Sequence, residues 1–189
     1  TLLPLENTMY LSDSKNAPYG EKSKQEIIDL SIKNTQFLLQ QNCKLIVVAC
    51  NTATTNAIQI LREKFNVPFI GIEPAIKPAA ILTKTNTIGI LATKGTLNSE
   101  LFETTAKTIN KQIVIKEKIG KGLVELIEEG KLYSEEMTRL LTSYLQPMIN
   151  DKVDSLVLGC THYPYLIPQI REIVGSKIQI IDSGEAVAK

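Results

Sequence analysis

The chain has 189 residues, 43% of them hydrophobic, enough to bury a core in one domain or in two small ones. With 21 basic and 20 acidic residues the net charge is +1, which offers no electrostatic case for nucleic acid or for an anionic membrane surface. No apolar run approaches a membrane span, no secretory leader pattern is visible, and an odd set of three cysteines suits a reducing cytosol better than a disulfide framework.

Taken in chain order, residues 8–13 (TMYLSD) predict a first strand. The loop after it contains Pro18-Tyr19-Gly20, which reads equally well as an ordinary turn or as a loop that meets a ligand. Residues 23–41 predict a helix, with Ser23 as N-cap and Glu26 three positions on. A strand at 45–50 (LIVVAC) precedes a helix at 55–65 and a strand at 68–72. The two-proline segment 73–86 then separates this α/β set from the next. Strands follow at 87–93, 113–119, 155–160 (SLVLGC) and 178–182. Helices are predicted at 98–109, 121–130, 134–149 and 165–174.

Alternating strands and helices predict parallel βαβ units and an α/β fold. The pattern divides into two lobes, each a parallel sheet flanked by helices, at 1–84 and 85–183, with 184–189 returning to the first. A cleft between the lobes is the expected active site, because ligands in such folds sit beyond the carboxyl ends of the strands.

Cys50 and Cys160 lie 110 positions apart, each at the carboxyl end of an apolar strand and each before a hydrogen-bonding pair, Asn51–Thr52 and Thr161–His162. A helix N-terminus after such a cysteine favours thiolate and accepts a carboxylate. The plain alternative is that each is a small buried hydrophobe. Cys43 precedes its strand without such partners and reads as structural. His162, the only histidine, is placed to tune the thiol or to donate a proton. Thr93 and Thr96, around Gly95, form a strand-to-helix turn like an anion-accepting loop, but GxGxxG and the P-loop pattern are missing. One histidine and no CxxC pair argue against a metal. The acidic pair Glu128–Glu129 reads as a solvated helix face.

Two thiols on opposite walls of a cleft suit one job in particular. One thiolate removes a proton from a carbon, and the other thiol delivers a proton to the opposite face.

VVACNTA, VLGCTHYP, APYG and ATKGT together resemble the glutamate racemase family, and the resemblance covers essentially the whole chain. It implies two α/β lobes, cofactor-independent interconversion of L- and D-glutamate, and supply of D-glutamate for peptidoglycan. It implies no pyridoxal phosphate, no metal and a homodimer, and the cysteine usage points to a cytoplasmic location. Under it, Cys50 and Cys160 are the acid/base pair, and Asn51, Thr52, Thr161 and His162 bind substrate or assist a cysteine. Tyr19 and Gly20 match the substrate-contacting loop, Thr93 and Thr96 the intermediate threonine loop, and Asp13 and Glu128 acidic positions near the site. The family begins with a strand ending in Asp-Ser-Gly and continues past Lys189. The resemblance therefore implies a chain truncated at both ends, short of a first-lobe strand and part of the cleft, whose activity in isolation is in question. The DSG at 182–184 is not that motif. Rival readings are an aspartate or hydantoin racemase of the same superfamily, a non-catalytic amino-acid-binding protein, and a thiol redox protein.

Overall fold

Ser23 opens the first helix with a reciprocal capping box. Its hydroxyl accepts from the Glu26 N–H at 3.3 Å, while the Glu26 carboxylate accepts from the Ser23 N–H at 2.9 Å. The computed structural model describes residues 5–184 and 187. Helix α1 (Lys24–Gln40) buries Ile27, Ile28, Ser31 and Thr35 on one face. Strand β1 (Ile46–Val48), helix α2 (Asn51–Lys64) and strand β2 (Phe69–Gly71) follow. β1 and β2 pair in parallel, Ile46 opposite Phe69. Ile28, Ile46, Ala57, Ile58, Leu61 and Phe69 make the core of this first unit.

The predicted strand at 8–13 is not formed. The segment is irregular and runs into a 3₁₀ turn at Ser14–Asn16. Met9 and Tyr10 are exposed, so its apolar residues find no core to reward pairing. Asp13, at its end, is drawn instead into hydrogen bonds with Asn16, Tyr19 and Asn34.

The segment read as a two-proline separator contains a further helix, α3 (Ile76–Leu82). Its buried Ile76 and Ala79 pack on the second sheet. That sheet holds β3 (Thr87–Ala92), β4 (Val114–Ile119), β5 (Ser155–Gly159) and β6 (Gln179–Ile181) in the order β4-β3-β5-β6, all parallel. Successive residues point to opposite faces. Leu156 and Leu158 join one core with Leu123, Met137, Leu141, Leu145 and Ile170. Val157 joins the other with Ile76, Ile88, Ile90 and Phe102. Both faces are covered, which is why β3 and β5 read as unbroken apolar runs. The covering helices are α4 (Lys94–Leu97), α5 (Glu100–Lys107), α6 (Leu123–Glu128), α7 (Glu135–Asn150) and α8 (Ile167–Val174).

The architecture is therefore α/β, with parallel sheets flanked by helices, as the alternation predicts. The expected return of 184–189 to the first lobe lies, apart from Gly184 and Val187, outside the described residues. Among the described residues no helix is long and apolar enough to cross a membrane.

Register decides what meets at the carboxyl edge of the second sheet. Ala92 on β3 is paired with Gly159 on β5 and with Ile119 on β4. The next residues in each chain direction, Thr93, Cys160 and Gly120, therefore leave the sheet side by side.

Candidate active site

Cys50 is the N-cap of α2. Its Sγ accepts from the Ala53 N–H at 3.5 Å, so the thiol does the work of the usual Ser or Asp. This starts the helix at Asn51, four residues earlier than the hydrophobic pattern places it. The early turn is polar yet buried, with Asn51, Thr52, Thr54 and Thr55 all inside. Asn51 donates to the Ile72 carbonyl at 3.4 Å. Thr54 donates to the Val48 carbonyl at 3.0 Å and accepts from the Ile72 N–H at 3.1 Å. These bonds fasten the helix start to the carboxyl ends of β1 and β2, which holds Cys50 at the sheet edge.

Cys160 is 7% exposed and is followed by a 3₁₀ turn, Tyr163–Leu166, rather than by a helix start. Both thiols are pushed up, against the expectation of a thiolate held by a helix N-terminus. For Cys50, burial outweighs the N–H groups of Ala53 and Thr52 and the Thr52 side chain. For Cys160, burial carries the value to about 12 despite the N–H groups of His162 and Tyr163. Negative charge at Cys50 raises Cys160 further.

His162 lies between Cys160 and an acid. Its Nδ1 is 3.9 Å from the Cys160 Sγ, and its Nε2 is 2.5 Å from Glu128 Oε1 at the end of α6. Glu128 is thus no idle solvated charge but the group that orients the imidazole. Thr161 is half-buried.

Thr52, Thr93 and Thr96 form a closed triangle of buried hydroxyls, at 2.7 Å (Thr52–Thr93), 3.2 Å (Thr52–Thr96) and 2.9 Å (Thr93–Thr96). Thr93 also caps α4 by accepting from the Thr96 N–H. Gly20 packs on this group: a Cβ there would stand 2.8 Å from Thr93 Cβ. A narrow cleft runs beside it, lined by Pro18, Gly20, Thr93, Gly120, Lys121 and Gly122.

Tyr19 donates to Asp13 Oδ2 at 2.6 Å. Asn34 of α1 donates to that same carboxylate oxygen and to the Tyr19 hydroxyl, both at 3.1 Å. Burial works against the Asp13 charge, but the bonds from Tyr19, Asn34 and Asn16 and the nearby Lys33 prevail, holding the carboxyl below its usual range. Tyr19 is raised by burial and by Asp13, and it also feels Cys50. Asp13 and Tyr19 thereby belong to one network beside the first thiol.

Every residue singled out in the sequence thus falls in one of four groups: the Cys50–Asn51 helix start, the Cys160–His162–Glu128 line, the threonine triangle with Gly20, and the Asp13–Tyr19 network. Cys43 stands apart, packed on the first core. Sequence reasoning missed Asn34, one polar residue among several on an amphipathic helix, which carries no local signal. It also missed Tyr163, fully buried with its hydroxyl donating to the Gly120 carbonyl at 3.1 Å. Nothing in the local sequence marks its partner, which lies 43 positions away. Among the described residues no three His, Cys, Asp or Glu side chains gather as a metal site.

Residues 2–189 match the family described as Asp/Glu/Hydantoin racemase. A glutamate racemase of Ralstonia pickettii is 47% identical over 187 residues, which is 99% of this chain and 66% of that protein. A glutamate racemase of Herpetosiphon aurantiacus is 43% identical over 188 residues, 100% of this chain and 74% of that one. The crystal structure of Escherichia coli glutamate racemase in complex with L-glutamate and the activator UDP-MurNAc-ala superposes with a TM-score of 0.83 at 35% identity, over 93% of this chain and 67% of that one. The chain spans about two thirds of the length of the Ralstonia pickettii relative. Sequence and fold comparisons both cover nearly the whole chain, and the chain belongs to the Asp/Glu/Hydantoin racemase family.

Proposed function

We propose that the protein interconverts L- and D-glutamate without a cofactor, by proton transfer between Cys50, Cα and Cys160. The observation that carries this reading is the pair of thiols at carboxyl edges of parallel strands, each raised by burial and one raised by charge on the other. Such coupling favours a state with one thiolate and one thiol, which is the state a two-base transfer requires. The thiolate takes the Cα proton from one face, and the thiol gives its proton to the other. The pair ends with its roles exchanged, ready for the reverse reaction.

Both thiols are neutral near pH 7 in the free protein, so substrate supplies part of the driving force. An α-ammonium in the cleft lowers the cost of a thiolate beside it. His162, oriented by Glu128, assists Cys160 in giving or taking its proton. Asn51, Thr52, Thr161 and the Tyr19–Gly20 turn hold the substrate carboxylates, with Thr93 and Thr96 behind Thr52. Glutamate is favoured over aspartate because relatives at 43–47% identity are named glutamate racemases. By the same resemblance the enzyme works as a homodimer that supplies D-glutamate for peptidoglycan, in the cytoplasm to which the cysteine usage points.

The test is solvent labelling in the complete protein. Turnover of either enantiomer in deuterium oxide is expected to place deuterium at Cα of the product. Cys50→Ser and Cys160→Ser are each expected to lower racemisation at least about 100-fold while glutamate still binds. Two-way turnover persisting in either variant would falsify the two-thiol route. Binding without any label at Cα would leave only an amino-acid-binding protein.

A further inference from the structure

The threonine triangle joins the two units beside both thiols. Thr52 is two residues after Cys50, and Thr93 follows Ala92, the strand partner of Gly159. One more side chain ties the same two elements together. Asn56, one turn further along α2, donates through Nδ2 to the Thr52 carbonyl and across to the Gly95 carbonyl, both at 2.8 Å. α4 has only four residues, and among the described residues no backbone N–H reaches the Gly95 carbonyl. Asn56 thus satisfies an acceptor that the short helix leaves over.

Close approach completes the joint. A Cβ at Gly95 would lie 2.8 Å from Thr52 Cγ2 and 3.1 Å from the Gly20 carbonyl oxygen. With Gly20 held equally close to Thr93, three chain segments meet with no spare volume. The contact is uncharged and its hydroxyls and amide are paired, so it is stiff and insensitive to pH or salt.

We propose that Asn56 and Gly95 are positioning residues that form a latch between the units, setting the separation of the Cys50 wall from the Cys160 wall. This rests on the two-thiol reading above. Proton removal needs one thiolate near Cα. Inversion needs the second thiol at the correct distance on the far side. Loosening the latch should therefore spare the first event and damage the second.

Asn56→Ala and Gly95→Ala, acting from opposite sides of the joint, are compared with the wild type in the complete protein. Racemisation of glutamate is measured beside chloride release from a β-chloro analogue of glutamate. Chloride release needs only one thiolate: the base takes the Cα proton, and the electron pair left on Cα forms the Cα–Cβ double bond as chloride departs. Racemisation kcat is expected to fall about tenfold or more relative to chloride release, with KM for glutamate within about threefold of wild type. A change that only reduces the folded fraction lowers both rates equally, and that result overturns the proposal. Unchanged racemisation in the variants overturns it as well. If one variant does not fold, the other decides. A wild type that releases chloride but never racemises would instead refute the proposed function, a separate outcome.

Discussion

At Gly120 the backbone passes so close to Tyr163 that a Cβ would lie 2.8 Å from Leu123 Cδ1 and closer still to the Tyr163 hydroxyl. The tyrosine has no exposed surface and nowhere to retreat. Gly120→Ala is therefore expected to destabilise the protein by about 3 kcal/mol in urea unfolding. Part of that cost belongs to the phenolic oxygen. The same substitution in a Tyr163→Phe background should cost about 1 kcal/mol less, a coupling that a double-mutant cycle detects. Asn34 makes a different prediction. It is shared between Asp13 and Tyr19, and Asn34→Ala frees the turn that carries Gly20 to Thr93. Glutamate KM is expected to rise about fivefold with kcat little changed, as measured in steady-state assays. The candidate residues Cys50, Cys160 and His162 are visible in the sequence because each stands in a short motif at a strand end. Asn34 and Asn56 are not, because their partners lie 21 and 39 positions away and nothing near them in the chain announces it.

Among the elements, the connection from α3 into β3 shows how one carboxylate organises a segment. Asp154, just before β5, accepts from the Thr83 hydroxyl at 2.6 Å and from the N–H groups of Lys84 and Thr85 at 2.6 and 2.9 Å. Burial opposes its charge, but these bonds win and keep its pKa below the ordinary 3.8. A lowered carboxyl pKa stabilises the fold above its unfolded value, and the contribution is lost as pH falls through the folded value. Asp154→Ala should cost about 2 kcal/mol at neutral pH and speed amide exchange at Lys84 and Thr85. The 8–13 segment and α2 show where element prediction fails. TMYLSD has strand composition but no partner and little burial. α2 starts at Asn51 because a thiol caps it and because β1, β2 and α4 pack against its threonines. Periodicity within a dozen residues registers neither condition. It does register β3 and β5, whose unbroken apolar runs are the direct signature of a sheet covered on both faces.

For the whole molecule, burying the Cys160 thiol has a consequence at high pH. Its value rises from an ordinary 9.0 to about 12, so between those limits the native state keeps a proton that the unfolded chain has lost. Stability must then fall as pH rises through that window. Cys160→Ala is expected to flatten the decline by about 1.4 kcal/mol per pH unit between pH 9 and 12, measured by denaturant unfolding at each pH. Equal slopes in both proteins would mean the thiol is not buried as described. The α/β class, the parallel order implied by alternating strands and helices, and two thiols at strand ends are all readable from the chain alone. These follow from side-chain period and from motifs a few residues long, which are local properties of the chain. The packed fold adds what the sequence does not show: burial pushes both thiols up, Glu128 reaches His162, and Asn56 and the threonines bridge the two units. Burial and cross-chain hydrogen bonds are sums over residues distant in sequence, so no local pattern contains them.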